Sequence, residues 1–464
     1  MAEAGKKKVP GKSWNAWIFL WIIYACNANI REILNRVSPY IVEEYGVNAT
    51  QLGLLSTAAL GFLALGATPL GMWADRGGVG YKRKNRAFVL GAGYLLACFL
   101  CGIGPVSATY AVFFILNALR GFFSGAGEAC EVGQMMEWAP REKTGFFAGL
   151  HHTGYPWGSL IGGFIVTAFL NIAGGENWKG VFFIFPIIGI ITWLLWLRWA
   201  NAKNYQRFQD QCVEGGYTSP MAGDSDVENY KAPPGLLKRC LKNPNILMMA
   251  IVSYCCLFGY AGINYWLTPY ITFVGNYDPA SAASLSVIFT ITGGLGQVCW
   301  GMFADKFGTK RTLMICTLWL TVAFILMQFA GASLGALIGL QLLMGFALNA
   351  VYAMIYKFDA VSSEKGGVVM ANSLTVTGMY AGGASATFIL GKIIDAAGGL
   401  HTASGYYTGL YVMSGVMLVA FFLVLLFTRE TNGPKFKKDF SLVSLESCNL
   451  ADVDDPNAVR THEE

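Results

Sequence analysis

Residues 71–85 read GMWADRGGVGYKRKN and residues 301–312 read GMFADKFGTKRT, nearly the same phrase half a chain apart. Each copy closes a long apolar run with glycine, one aspartate and a cluster of cations. Apolar runs of about 20 residues suffice to cross the hydrocarbon core of a bilayer as helices. Twelve such runs recur, at roughly 15–38, 50–74, 87–106, 109–136, 144–171, 178–199, 246–273, 281–303, 311–331, 335–356, 369–394 and 406–428. Each copy of the phrase follows the second run of a set of six, so the chain reads as two parallel repeats, an organisation common in secondary transporters.

Composition agrees with this reading. Apolar residues make up 54% and charged residues 13% of the chain, which excludes an ordinary soluble domain. Helix is expected for every span, because lipid offers backbone groups no other partner. The fold expected is an all-α membrane protein with twelve transmembrane helices in two pseudo-symmetric six-helix bundles. Its parts are an amino-terminal segment (1–14), a first bundle (15–199), a polar linker (200–245), a second bundle (246–428) and an acidic tail (429–464). Lys and Arg collect at the amino terminus, in alternate loops (Arg76, Lys82, Arg83 and Lys84; Arg141 and Lys143) and in the linker and tail. That bias places both termini in the cytoplasm, as expected of a multi-pass protein of the plasma (inner) membrane.

The net charge of +5 is this topology signal, not a basic face for nucleic acid. The eleven cysteines are odd in number and lie mostly in spans, so no disulfide framework is read. The chain has no H-E-x-x-H, P-loop or nucleophile elbow, which argues against an enzyme and against ATP-driven transport. No cofactor and no metal site are expected, and the protein is expected to be a monomer in the lipid bilayer.

Ionisable residues at bilayer depth cost about 2.5 kcal/mol or more on insertion scales, so they face protein or a water-filled path. In the first span Asn27, Arg31 and Asn35 follow steps of four, and Glu32 and Arg36 form an i, i+4 pair beside them. Arg31 is the first candidate to grip a carboxylate, because its planar fork can make two hydrogen bonds to one. In the fourth span Asn117, Arg120, Ser124, Glu128 and Glu131 share a face, with Gly121 and Gly125 beside it as a close-packing stripe. Arg120 is the second anion-binding candidate. Glu128, Glu32 and Glu131 are the candidates to couple transport to a proton. His151 and His152 open the fifth span beside Tyr155, and Gly154, Gly158 and Gly162 follow as a second packing stripe. In the second half Tyr260, Asn264, Trp266, Gln297, Asn349, Tyr352 and Tyr380 offer neutral hydrogen bonds and aromatic walls.

The repeated phrase is similar to the loop signature of the major facilitator superfamily, with Gly71, Asp75, Arg76 and Gly77 in one copy and Gly301, Asp305, Lys306 and Gly308 in the other. HTGYPWGSLIGG and GKIIDAAGG resemble that family's fifth- and eleventh-helix signatures. The resemblance implies two bundles around a central cavity that opens alternately to either side, with Asp75, Arg76, Asp305 and Lys306 in gating loops. Gly125, Glu128, Ala129, Trp138 and Pro140 resemble the anion:cation symporter branch, which carries organic acids and sugar acids. Two departures stand out: Arg120 precedes Glu128 by eight residues rather than seven, and the first span keeps Arg31 but lacks the branch's aspartate. The expectation is a carrier of a small organic anion, a carboxylate, coupled to a proton. Exchange against a counter-anion, carriage of a zwitterion or neutral sugar, and a transporter-like sensor remain alternatives.

Overall fold

The computed structural model describes residues 8–75, 80–125, 127–140, 143, 147, 150–219, 236–362 and 368–430; Arg76 lies outside this set, as do the side chains of Asp75, Glu128 and Asp305. Helices account for nearly all of the described residues, and no strand occurs among them. In the first half these are α1 (Gly11–Arg36), the short α2 (Ser38–Tyr45), α3 (Ala49–Asp75), α4 (Lys84–Gly102), α5 (Tyr110–Ser124), α6 (Gly127–Glu137), α7 (Gly154–Ala173) and α8 (Val181–Trp199). Helices α9 (Ala202–Glu214) and α10 (Leu236–Lys242) flank the central connection. The second half contains α11 (Pro244–Pro269), the short α12 (Pro279–Leu285), α13 (Phe289–Phe307), α14 (Thr309–Leu326), α15 (Leu334–Leu348), α16 (Ala350–Ser362), α17 (Val368–Ala396) and α18 (Ala403–Phe427).

Nine helical stretches among the described residues are long and apolar enough to cross a membrane. The other three of the twelve expected spans are the polar ones. Helix α1 carries Arg31, Glu32 and Arg36 in its last two turns, the fourth span is divided into α5 and α6, and α17 is rich in Gly, Ser and Thr. Within the polar linker, α9 is amphipathic: it buries Tyr205, Phe208 and Cys212 and seats two of its rings against Trp138, at 4.9 and 5.8 Å between centroids.

The glycine stripes act as the sequence suggests. A methyl group at Gly121 would fall 2.0 Å from the Ala59 carbonyl oxygen, so α5 and α3 touch backbone to backbone. On α7, Gly158 and Gly162 lie against Ala25 and Asn29 of α1, bringing the fifth span onto the first.

At the end of the bundle remote from Gly11 and Phe427, the two halves are joined. The Asp395 carboxylate, near the end of α17, accepts the Ala49 amide at 3.0 Å and the Thr50 amide at 2.7 Å, together with the Thr50 hydroxyl. It thereby caps the amino terminus of α3, where unpaired N–H groups and the helix dipole favour an anion. One turn further in, Tyr265 on α11 donates to the Leu52 carbonyl, and about two turns in Thr57 donates to the Ala384 carbonyl at 2.8 Å. Loss of such a cap costs about 1–2 kcal/mol, and each 1.4 kcal/mol is tenfold in population. Asp395→Ala is therefore expected to speed labelling of a Ser56→Cys probe by a membrane-impermeant thiol reagent, added at this face, by roughly tenfold. An unchanged labelling rate would remove Asp395 from the closure.

Candidate functional site

A cavity of about 170 Å³ lies between the halves. Helix α1 contributes Arg31, Glu32 and Asn35, α7 contributes Tyr155, α11 contributes Tyr260 and Asn264, and Asn349 and Tyr380 close it from the tenth and eleventh spans. Arg31 is partly buried at the junction of the halves. Its Nε donates to Ser124 Oγ on α5 at 3.1 Å and its Nη1 to the Tyr380 hydroxyl on α17 at 3.4 Å. Aromatic rings stand at steep angles around the space: Tyr155 and Tyr260 have centroids 6.5 Å apart, and Tyr260 and Tyr352 6.3 Å apart at 81°.

Glu32 also lines the cavity, held by a buried network. Arg36 Nη2 donates to Glu32 Oε2, to the Ser159 hydroxyl and to the Ser159 carbonyl, each at 2.9 Å, and Arg36 Nη1 donates to Asn29 Oδ1 at 2.6 Å. The Ser159 hydroxyl donates to Glu32 Oε2 as well, and the Tyr260 hydroxyl reaches Glu32 Oε1 at 3.5 Å. The i, i+4 pair expected from sequence is thus present, but it is buried where α1 meets α7, with side-chain exposures of 1% and 3%.

Several expected site residues lie elsewhere. Arg120 does not line the cavity: it is 2% exposed, donates to the Ile30 carbonyl at 2.5 Å and sits beside Tyr94 and Cys98 of α4. Asn27 donates to Glu131 Oε1, and both are buried behind the cavity wall. Relative to Arg31, Tyr24, Asn35 and Glu32 lie about 20°, 40° and 100° round α1 in one direction and line the cavity, whereas Asn27 lies about 40° in the other. Tyr24, seven residues before Arg31, is the α1 residue that lines the cavity instead. Trp266 lines a separate apolar pocket with Met327, Leu390 and Met413.

Among the gating candidates, Lys306 stacks over the Phe307 ring at 5.3 Å at the end of α13. Asp75 ends α3, Glu128 and Asp305 lie in α6 and α13 with side chains outside the described set, and Arg76 lies outside it altogether. Sequence reasoning missed Tyr24, Ser56 and Tyr356 as lining residues. Tyr356 had a legible signal: with Asn349 and Tyr352 it follows steps of three and four along one helix face.

Arg120→Ala is expected to act on the scaffold rather than on ligand affinity. Losing a charged hydrogen bond to a buried carbonyl costs about 1.5–3 kcal/mol. The apparent melting temperature should fall while Kd for a ligand of the cavity in the surviving folded protein stays within about twofold. A selective loss of affinity at unchanged stability would put Arg120 back in the site.

The chain matches the family description Major Facilitator Superfamily over residues 20–283 and 269–447. The protein belongs to this superfamily. It is therefore a multi-pass membrane protein of the transporter fold, as the repeated phrase implied. The hexose-6-phosphate:phosphate antiporter of Escherichia coli K12 is 22% identical over 322 residues, 67% of this chain and 68% of that protein. The phosphoglycerate transporter protein of Salmonella typhimurium is 22% identical over 454 residues, 94% of each chain. Among solved structures, the partially occluded inward-open xylose transporter XylE from E. coli superposes with a TM-score of 0.68 at 14% identity, over 90% of this chain and 98% of that one. The two sequence relatives are named for phosphate esters, not for the anion:cation symporter branch that the fourth span resembles.

Proposed function

We propose that this superfamily member exchanges small organic anions across the membrane by alternating access, with Arg31 as the anion anchor. The observation that carries this reading is a guanidinium lining a cavity enclosed by both bundles, bonded at once to α5 of one half and α17 of the other. An anion that recruits Arg31 would bias how the halves meet, which is the differential contact that ligand-driven alternation requires. Exchange is favoured over proton symport on two grounds. The similar antiporter is named for exchange against phosphate. Of the acidic candidates whose side chains are described, Glu32 is ion-paired with Arg36 and Glu131 is engaged with Asn27 behind the wall. Both termini are proposed to face the cytoplasm of an inner membrane, from the placement of Lys and Arg.

The test is uptake into proteoliposomes of the full-length protein. Labelled glycerate or glycerol 3-phosphate should enter vesicles preloaded with an anion and should not accumulate in empty vesicles, whatever the pH gradient. Accumulation in empty vesicles driven by an inward proton gradient would replace exchange with symport.

A further inference from the structure

The two sides of the cavity differ in chemistry. The first half brings Arg31, Glu32 and His152 to the lining, whereas the lining residues of the second half, among the described residues, include no lysine, arginine or histidine. They are neutral: Tyr260, Asn264, Gln297, Asn349 and Tyr352 offer hydrogen-bonding groups, beside the apolar Leu257, Ala261 and Met379. Two of these residues have unused capacity. Asn349 Nδ2 and the Tyr352 hydroxyl are buried and have no hydrogen-bond partner among the described residues. Buried polar groups are rarely left unpaired in folded proteins, so these two groups, on residues that line the cavity, are open to a partner that arrives with the ligand.

The local structure fits such a role. Asn349 occupies the single-residue break between α15 and α16, and Tyr352 follows three residues later, about 60° away round the helix. Gly293 on α13 leaves the room that the Asn349 amide occupies, since a methyl group there would lie 2.3 Å from Nδ2. An amide and a phenol offer hydrogen bonds to hydroxyl or carbonyl oxygens but no charge to balance an anion. The Glu32 charge is balanced by Arg36, so a second full negative charge on the ligand would have to be met from the opposite wall, whose described lining has no lysine, arginine or histidine.

Resting on the anion reading above, we propose that the site takes organic monoanions with a hydroxylated or carbonyl-bearing body and disfavours phosphomonoester dianions. Arg31 holds the charged end, and Asn349 and Tyr352 are specificity-determining residues for the neutral end. The similar relatives named for phosphate esters would then share the fold with this chain but not its preferred ligand charge.

Equilibrium binding to the purified full-length protein tests this with three probes. Glycerate is a hydroxylated monoanion, propionate is the matching monoanion without hydroxyls, and glycerol 3-phosphate changes from monoanion to dianion across a second pKa of about 6. Glycerate is expected to bind at least about tenfold more tightly than propionate. Asn349→Ala and Tyr352→Phe should each weaken glycerate about fivefold or more while changing propionate less than twofold. Between pH 5 and pH 8 glycerol 3-phosphate should lose about tenfold relative to glycerate. Gly293→Ala displaces the Asn349 amide without deleting it, and should reproduce the loss of glycerate preference if Asn349→Ala proves unstable.

Glycerol 3-phosphate binding at pH 8 as tightly as glycerate would overturn the proposal. So would equal effects of the variants on glycerate and propionate, or no binding of either monoanion. The parent reading fails separately: if Arg31→Ala leaves anion binding intact the anchor is wrong, whereas if it abolishes binding and only the selectivity is reversed, this inference alone falls.

Discussion

Arg31→Ala should reduce anion exchange in proteoliposomes by about 10²–10⁴-fold. The guanidinium is the group that would meet the anion, and charge-assisted hydrogen bonds contribute about 1.5–3 kcal/mol each. Two such bonds to one carboxylate therefore correspond to roughly two to four decades, since each 1.4 kcal/mol is tenfold. Arg31 also ties Ser124 to Tyr380 across the halves, so the same substitution should alter how readily the cavity closes. Two companions separate these effects. Arg31→Lys keeps the charge but loses the planar fork, and should retain measurable exchange with at least about tenfold weaker apparent affinity. Tyr380→Phe removes only the 3.4 Å contact and should cost less than either. Because Arg31 is only partly buried, the variants should remain monodisperse in detergent. Exchange by a well-folded Arg31→Ala protein at more than a tenth of the parent rate would show that the anion is held elsewhere.

The fold was legible because its signals are local and repeated. The paired phrases at 71–85 and 301–312, spans of bilayer length and the Gly121 and Gly158–Gly162 stripes each need only a window of the chain to be read. The site was legible in part, for a physical reason. Arg31, Asn35, Tyr155, Asn264, Asn349 and Tyr380 were named from residue type and depth, and all line the cavity. Type and depth do not fix azimuth, however: Arg120 and Asn27 have the right chemistry at the right level but are turned toward Ile30 and Glu131. The cap by Asp395 was out of reach altogether, because its partners Ala49 and Thr50 lie 346 and 345 positions away in the chain. No periodicity encodes a contact of that kind; only the packing of α17 against α3 creates it.

Glu32 provides the sharpest separation between a scaffold role and a coupling role, and the sign of a double substitution decides it. Removing the carboxylate by Glu32→Leu leaves Arg36, 1% exposed, with its positive charge uncompensated at the contact of α1 and α7. Breaking a buried pair from one side typically costs about 3–5 kcal/mol, far more than the pair contributes net, because the remaining charge has lost its partner in a poorly solvating interior. The single variant should therefore show a large fall in apparent melting temperature and little functional protein. Replacing both partners, as Glu32→Leu with Arg36→Met, removes both charges at similar volume and should recover most of the lost stability. Recovery will be incomplete, since Ser159 gives up its bonds to both partners, while Asn29 keeps those to the Ala25 and Gly158 carbonyls at 2.8 Å. If the pair is scaffold, the rescued protein exchanges anions with its counter-anion requirement intact. If Glu32 carries a proton, the double variant will be stable but inactive or uncoupled, and the case for exchange without protons is lost.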